Sequence, residues 1–535
     1  MSDAAPLIRV ERLTIRRGLR QDPVVVDVSL SLDASEIAVL LGEESGGGDA
    51  LLRAIAGASD PEEHTSGSIS YRGQEQRERL RLAFLPSAYS SPLSTSRQIA
   101  PQLERIVARK FSIPRSAARE ELRNALSKLS GAPAFASLLE YPDRVAPATL
   151  AWGLLAATIA QSPELVLADD PVRGLSPKDS HVLTAALLDQ CGKLNAALLY
   201  NARALDAAIW ASGRIIVIRH GAIVEEGPVE RLTSERAHAY TRTLFRALPV
   251  VTVEPPPRRF ARGEMLLRVH AVGFEGSKGR KGTDRFNLEL KRGASLALIG
   301  EEGSGRRKLV RTILGIEPVR PGQVVIDSVD IGILSESMRA RMRRRFALIA
   351  GSDDALDQRM SVRDTVDEPL RAHLKLPREA VAEHREIALK RVGLSPQLHR
   401  LKVESLSVFD KRRLQVARAI VTTPVLTIID EPLRGLDAFA QTIIRDLLAD
   451  FREQEGSAFL VITSDLSVAQ ALSEDALVFK QGRVMARGPL HELLRAPDEN
   501  SLTSLAQASL PAPLIASNSA MEGTARGLAD HGNVV

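Results

Sequence analysis

Gly42-Glu43-Glu44-Ser45-Gly46-Gly47-Gly48-Asp49, directly after the apolar run Ile37 to Leu41, is the stretch on which the fold turns. A second version, Gly300-Glu301-Glu302-Gly303-Ser304-Gly305-Arg306-Arg307, follows Leu296 to Ile299. Both keep the frame of G-x-x-x-x-G-K-[ST], a glycine-rich turn from a strand into a helix. In that pattern backbone N–H groups cradle phosphate, the lysine reaches the outer phosphates, and the hydroxyl holds Mg²⁺. Here Gly48 and Asp49 stand at the lysine and hydroxyl positions of the first copy, and Arg306 and Arg307 at those of the second. The frame of a phosphate-binding loop is written twice, each time with altered chemistry.

Around these loops the whole chain repeats. The glycine openings Gly42 and Gly300, and the acidic pairs Asp169-Asp170 and Asp430-Glu431, recur at a spacing of about 260 residues. Each acidic pair ends an apolar strand, Leu165 to Ala168 or Leu426 to Ile429, and precedes a proline. Near-identical phrases follow, Val172-Arg173-Gly174-Leu175 and Leu433-Arg434-Gly435-Leu436. Each half closes with a hairpin-like stretch, Ile215 to Gly227 around His220-Gly221 and Ala476 to Gly488 around Gln481-Gly482. Strands alternating with helices predict a parallel-sheet α/β core in each half. Long Ala-, Leu- and Arg-rich stretches, 95–160 and 361–420, predict a helical subdomain in each. The expected organisation is a first domain over 7–250, a linker over 251–262 containing Pro255-Pro256-Pro257, a second domain over 263–495, and a disordered tail over 496–535.

Composition narrows the class. The 535 residues, 44% hydrophobic and 26% charged, suffice for two or more soluble domains. Seventy-one basic against 66 acidic residues give a net charge of +5, too mild by itself to argue for nucleic acid. The arginines of Arg339 to Arg345 read as a solvated helix face, and His238-Ala239-Tyr240 as packing rather than a metal site. A single cysteine, Cys191, rules out an intrachain disulfide framework and fits a reducing compartment. The start, Met1-Ser2-Asp3-Ala4-Ala5-Pro6, shows no secretory signal. The apolar stretch Ala148 to Ala160, about 13 residues, is short of a membrane span and reads as a buried helix.

The first half ends in Gly227-Pro228-Val229-Glu230 and then His238-Ala239-Tyr240-Thr241-Arg242-Thr243-Leu244. Together with Tyr141-Pro142 and Asp367-Glu368-Pro369-Leu370, this resembles two fused ATP-binding cassette subunits of the dipeptide/oligopeptide importer type. The resemblance covers roughly 7–250 and 263–495. It implies an α/β fold of two tandem P-loop NTPase (ABC-type) domains, each with a parallel-sheet core and a helical subdomain. It also implies two nucleotides sandwiched between the halves, each held by one half's loop and acidic strand and the other half's L-S-G-G-Q signature.

Station by station, the resemblance assigns roles. Gly42, Ser45, Gly47, Gly48 and Asp49 would line the first nucleotide site, and Gly300, Gly303, Ser304, Gly305, Arg306 and Arg307 the second. Asp169 and Asp430 would hold Mg²⁺ through water; Glu431, with Asp170 as its shorter counterpart, would polarise the attacking water. The signature regions read Val145-Ala146-Pro147-Ala148-Thr149 and Leu406-Ser407-Val408-Phe409-Asp410, leaving Ser407 as the one retained contact. The switch glutamine is replaced by Pro86 and Ala350, the γ-phosphate histidine by Arg203 and Ser464, and the D-loop aspartate by Ser176 in the first half, with Asp437 kept in the second.

A unit charge pair at about 4 Å and an effective dielectric near 20 is worth about 4 kcal/mol, while micromolar binding totals about 8 kcal/mol. Exchanging the lysine for Gly48 and the hydroxyl for Asp49 therefore argues against ordinary Mg-ATP binding in the first half. Arg306 keeps a positive charge, so ATP is favoured at the second loop, with or without Mg²⁺. The expectation is a cytoplasmic, membrane-peripheral cassette component of a peptide importer, with ATP hydrolysis weak or lost. Its partners would be permease membrane subunits with a substrate-binding protein upstream, and another cassette subunit is a further option; nucleic acid is not expected. The alternative is a non-catalytic scaffold or regulator of a transporter complex.

Overall fold

The computed structural model describes residues 5–18, 22–44, 46–75, 80–87, 93–203, 209, 212–246, 263–273, 285–300, 304–352, 355–374, 376–480 and 483–495. The expected linker and tail, the Gln481-Gly482 turn, Ser45 and Gly303 lie outside these residues. The chain divides into two compact units at Leu248 and Pro249.

In the first unit, β1 (Ile8–Arg17), β2 (Asp22–Leu32) and β4 (Glu63–Tyr71) form an antiparallel sheet in the order β2-β1-β4. The main sheet takes β3 (Ile37–Gly42), β5 (Leu82–Pro86), β6 (Leu165–Asp169), β7 (Ala197–Ala202), β8 (Arg214–Arg219) and β9 (Ala222–Gly227), in the order β5-β6-β7-β3-β8-β9. All its pairings are parallel except β8 with β9. That hairpin turns at His220 (φ 49°) and Gly221 (φ 80°), the two positive φ values that match a tight turn to the strand twist. Strand alternation fixes which face sees which layer: Leu165 and Leu167 of β6 join the core under the antiparallel sheet, Val166 and Ala168 the core under the helices. Helix α1 (Gly48–Ala56) follows the glycine loop.

The helical subdomain of this unit comprises α2 (Ile99–Phe111), α3 (Arg115–Ser127) and α4 (Pro147–Ile159). In α4, Leu150 through Ile159 are all buried, as expected for an apolar stretch too short to span a bilayer. Helix α5 (Pro177–Leu194) covers the sheet and carries Cys191, which is buried. After β9 come α6 (Val229–Leu232) and α7 (Ala239–Arg246). His238 Nδ1 accepts from the Tyr240 backbone N–H at 3.2 Å and Arg219 lies 4.5 Å above the Tyr240 ring, so the histidine is a helix cap.

The second unit repeats the plan. Strands β10 (Met265–Val272), β11 (Phe286–Lys291), β13 (Val324–Ile326) and β14 (Val329–Asp330) form its antiparallel sheet. Its main sheet contains β12 (Ser295–Gly300), β15 (Phe346–Ala350), β16 (Leu426–Asp430), β17 (Ala458–Thr463), β18 (Asp475–Lys480) and β19 (Arg483–Pro489). The order, β15-β16-β17-β12-β18-β19, matches the first sheet strand for strand. The helices are α8 (Arg306–Ile313), α9 (Glu336–Arg343), α10 (Val362–Pro369), α11 (Arg378–Arg391), α12 (Val408–Ile420), α13 (Ala438–Glu455), α14 (Leu466–Leu472) and α15 (Leu490–Arg495).

Two details show how this unit's helices are pinned. Asp367 of α10 is fully buried, and Arg385 of α11 donates to both its carboxylate oxygens at 2.9 Å. The basic run at α9 is committed locally: Arg343 bonds Glu336 at 2.6 Å and Arg345 bonds Asp327 at 2.7 Å. No helix among the described residues is long and apolar enough to cross a membrane.

Candidate phosphate sites

Each glycine stretch lies between the end of a strand, at Gly42 or Gly300, and the start of a helix, at Gly48 or Arg306, as its glycines predict. Gly47 (φ 86°) and Gly305 (φ 98°) occupy the left-handed region immediately before α1 and α8. A Cβ on Gly42 would stand 2.5 Å from the Ile218 carbonyl oxygen and one on Gly300 2.4 Å from that of Phe479, so each loop leaves its strand pressed against the neighbouring strand.

The acidic turns also match. Asp170 and Glu431 both hold positive φ, 45° and 48°, and both N–H groups donate 2.9 Å bonds to the end of the adjacent strand, at Asn201 and Ile462. Arg173 and Arg434 then close the turn with 3.1 Å bonds back to those acidic residues. A non-glycine residue held at positive φ in both units is stored strain of the kind found at ligand sites.

Within the first unit, the space a lysine would fill is taken. A Cβ on Gly48 would lie 2.4 Å from Asn201 Oδ1, and Asn201 Nδ2 donates to Asp169 Oδ1 at 2.8 Å. Asp49 turns to Arg53 one turn along α1, at 3.0 Å, and Arg53 continues to Glu63 at 3.3 Å. Glu44 reaches into the site instead: its Oε1 accepts from Arg173 Nη2 at 2.7 Å and Arg203 Nη1 at 3.1 Å. Arg203, at the position of the γ-phosphate histidine, also lies 4.0 Å from Asp169 and 3.8 Å from Asp170.

In the second unit the two arginines part company. Arg306, expected at the phosphate, has a buried guanidinium in this structure. It donates to the carbonyl oxygens of Thr463 at 2.5 Å and Leu298 at 3.3 Å and to Ser304 Oγ at 3.1 Å, and stands 3.9 Å from Glu431. The longer, forked side chain has found backbone acceptors beneath the loop, which a lysine ammonium aimed outward would leave alone. Arg307 is half exposed and donates to Asp430 Oδ2 at 2.9 Å.

Glu431 accepts from the Ser464 backbone N–H at 2.8 Å and Thr463 Oγ1 at 3.1 Å. Burial pushes its carboxyl above the ordinary range; Arg306 and Ser464 pull the other way without prevailing.

At the signatures, Ser407 is the N-cap of α12: its Oγ accepts from the Asp410 N–H at 3.1 Å and donates to the Asp410 carboxylate at 2.8 Å. Its hydroxyl is spent on its own helix. Phe409 lies under Arg413 at 3.9 Å, while in the first unit α4 begins at Pro147 with no side-chain cap. Ser176, at the D-loop position, likewise caps α5 by accepting from Asp179 N at 3.2 Å. Pro86 and Ala350 end β5 and β15 beside Asp169 and Asp430.

Among the described residues, neither unit presents a ligand set that fits Mg²⁺. Asp169 is bonded by Asn201 and Asp430 by Arg307, and neither loop offers a hydroxyl at the helix's second position. Asp430 Oδ1 is buried with no hydrogen-bond partner, yet a dication there would face the guanidinium on the same carboxylate. Among the described residues no group of three or more His, Cys, Asp or Glu side chains is placed to hold a metal ion.

Sequence reading missed Asn201, Glu44 and Thr463 as site residues. Asn201 carried a signal: it is the polar residue of the fully buried strand Ala197-Leu198-Leu199-Tyr200-Asn201-Ala202.

The comparisons agree with this fold. The family model described as ABC transporter matches residues 283–434, from before the second glycine loop to beyond its acidic pair. Over 526 residues the chain is 27% identical to the ABC transporter ATP-binding protein YejF of Escherichia coli K12, covering 92% of this chain and 97% of that protein. It is 26% identical to the peptidoglycan transport ATP-binding protein YejF of Agrobacterium fabrum, over 95% and 97% of the two chains. It is 24% identical to the glutathione import ATP-binding protein GsiA of Escherichia coli K12, over 92% and 88%. Alignments of that coverage carry both halves. The fold is α/β, two tandem ABC-type P-loop NTPase domains, each with a parallel-sheet core and a helical subdomain.

Proposed function

We propose that this chain is the ATP-binding-cassette component of a peptide-type importer, in which ATP hydrolysis is weak or lost. The relatives' names, peptidoglycan transport and glutathione import, support the transport class and peptide-like cargo. Cassettes over 7–250 and 263–495, joined by 251–262, would serve permease subunits at the cytoplasmic membrane face, with a substrate-binding protein upstream.

The Arg307–Asp430 ion pair carries the proposal about hydrolysis. It sets a fixed cation on the carboxylate that would hold Mg²⁺ through water. Phosphoryl transfer depends on that metal to bridge the phosphates, and loss of one such element costs powers of ten in rate. Glu431 keeps the position of the residue that orients water, but its carboxylate already accepts from Thr463 and Ser464 and has Arg306 at 3.9 Å. What survives suits an anion better than a metal complex. ATP bound at the second loop would meet Arg307, with no requirement for Mg²⁺.

A second reading, a non-catalytic scaffold or regulator of a transporter complex, is favoured by the first loop, where Asn201 fills the lysine's space. Binding separates the two. Equilibrium titration of the purified chain with ATP, in Mg²⁺ and in EDTA, should give equal affinity under both conditions and no measurable turnover. Robust Mg-dependent turnover abolished by Glu431→Gln would sink the proposal about hydrolysis. Absence of any ATP binding, with permeases still copurifying, would select the scaffold.

A further inference from the structure

Two arginines from different elements converge on one carboxylate oxygen in the first unit. Arg173 comes from the turn after β6 and Arg203 follows β7; both meet Oε1 of Glu44, which lies in the loop between β3 and α1. Their side chains are 8% and 13% exposed, against 35% for Glu44. The cations are thus built into the unit, while the anion is the more exposed partner. Asp169 and Asp430 of the two units are bonded differently: a neutral amide holds the first and a guanidinium the second.

Beside Glu44, the Gly46 N–H bonds back to the Glu43 carbonyl at 2.8 Å. With no lysine at Gly48, Arg173 and Arg203 bring positive charge to Glu44 of this loop. Planar guanidiniums in a nearly buried setting suit an oxyanion, and charge-assisted bonds of this length are among the stronger ones. Asp169 and Asp170 stand at 3.8 to 4.0 Å from Arg203, farther than the 3.1 Å of Glu44.

We propose that Arg173 and Arg203 form an oxyanion clamp whose resident ligand is the chain's own Glu44 carboxylate, standing in for a phosphate. The first unit is then self-liganded. A free oxyanion enters the clamp only when Glu44 leaves it. This rests on the reading that the first loop does not take Mg-ATP.

The test uses the full chain with inorganic phosphate and tripolyphosphate as probes, followed by calorimetric titration and thermal denaturation. Glu44→Ala should bind tripolyphosphate at least about tenfold more tightly than the wild type, equivalent to about 1.4 kcal/mol. The same variant should show a phosphate-dependent rise in melting temperature that the wild type lacks. Adding Arg203→Ala to it should abolish both gains, while binding elsewhere in the chain stays common to all variants. Glu44→Gln, which keeps the shape and removes the charge, serves if Glu44→Ala does not fold. No gain in either Glu44 variant, or a gain that survives Arg203→Ala, overturns the clamp. Mg-ATP binding by the wild type that Arg203→Ala alone abolishes would instead overturn the reading of the first loop.

Discussion

At the scale of single residues, Gly48 shows why restoring a motif does not restore a site. A lysine placed there would drive its Cβ into Asn201, whose amide also holds Asp169. Gly48→Lys alone should therefore lower the melting temperature and gain no ATP binding, because overpacking a filled space costs about 1–3 kcal/mol. Pairing it with Asn201→Ala should recover the stability; thermal melts of the single and double variants check the coupling. Cys191 gives a second test at this scale. Burial alone pushes its thiol up to about 12, from an ordinary value near 9. Iodoacetamide should leave it unmodified between neutral pH and pH 9 and label it only after unfolding. Because the unfolded thiol ionises first, this group's share of stability is fully present below the ordinary value and is lost as pH rises from there toward 12. Labelling of the native chain at pH 8 would show that α5 opens locally.

The elements were the most legible level of the sequence, for a physical reason. Short apolar runs such as Ile37 to Leu41 and Leu426 to Ile429, bounded by glycine or acidic turns, suit strands buried on both faces, and glycines at positive φ mark where they turn. The duplicated phrases predicted matching topology, and the two six-stranded sheets have the same order. Side-chain direction was not legible. Nothing in the string Arg306-Arg307 tells that the first guanidinium dives under the loop and the second pairs with Asp430, since that depends on a carbonyl and a carboxylate over a hundred residues away. Nor did Asp367-Glu368-Pro369-Leu370, quoted for its resemblance, reveal that Asp367 ties α10 to α11. There the prediction is steep: Asp367→Ala leaves Arg385 buried without its bidentate partner and should destabilise the second unit by about 3–5 kcal/mol. Replacing both partners by apolar residues of similar volume should cost much less. Chemical denaturation of the single and double variants distinguishes this pair from an inert surface bridge such as Glu368 with Arg418.

For the whole molecule, one consequence follows from finding a fixed partner on the acidic strand end of each unit. A ligand that binds only the folded state at about 100 times its dissociation constant adds about 2.7 kcal/mol of stability. In a domain of 150–250 residues each kcal/mol moves the melting temperature by about 2–4 °C. Two intact Mg-ATP sites would thus move the chain's thermal transitions upward by several degrees, and chelation would reverse the shift. Asn201 on Asp169 and Arg307 on Asp430 predict a different pattern. Mg²⁺ alone should move no transition, and EDTA should remove nothing. Any upward shift with ATP should be the same with and without metal and confined to the transition that Asp367→Ala lowers, which identifies the second unit. Scanning calorimetry of the full chain with ATP, Mg-ATP and EDTA decides it. A metal-dependent shift of both transitions would mean that the side chains occupying these sites yield to nucleotide, and that the internal partners act as gates rather than replacements.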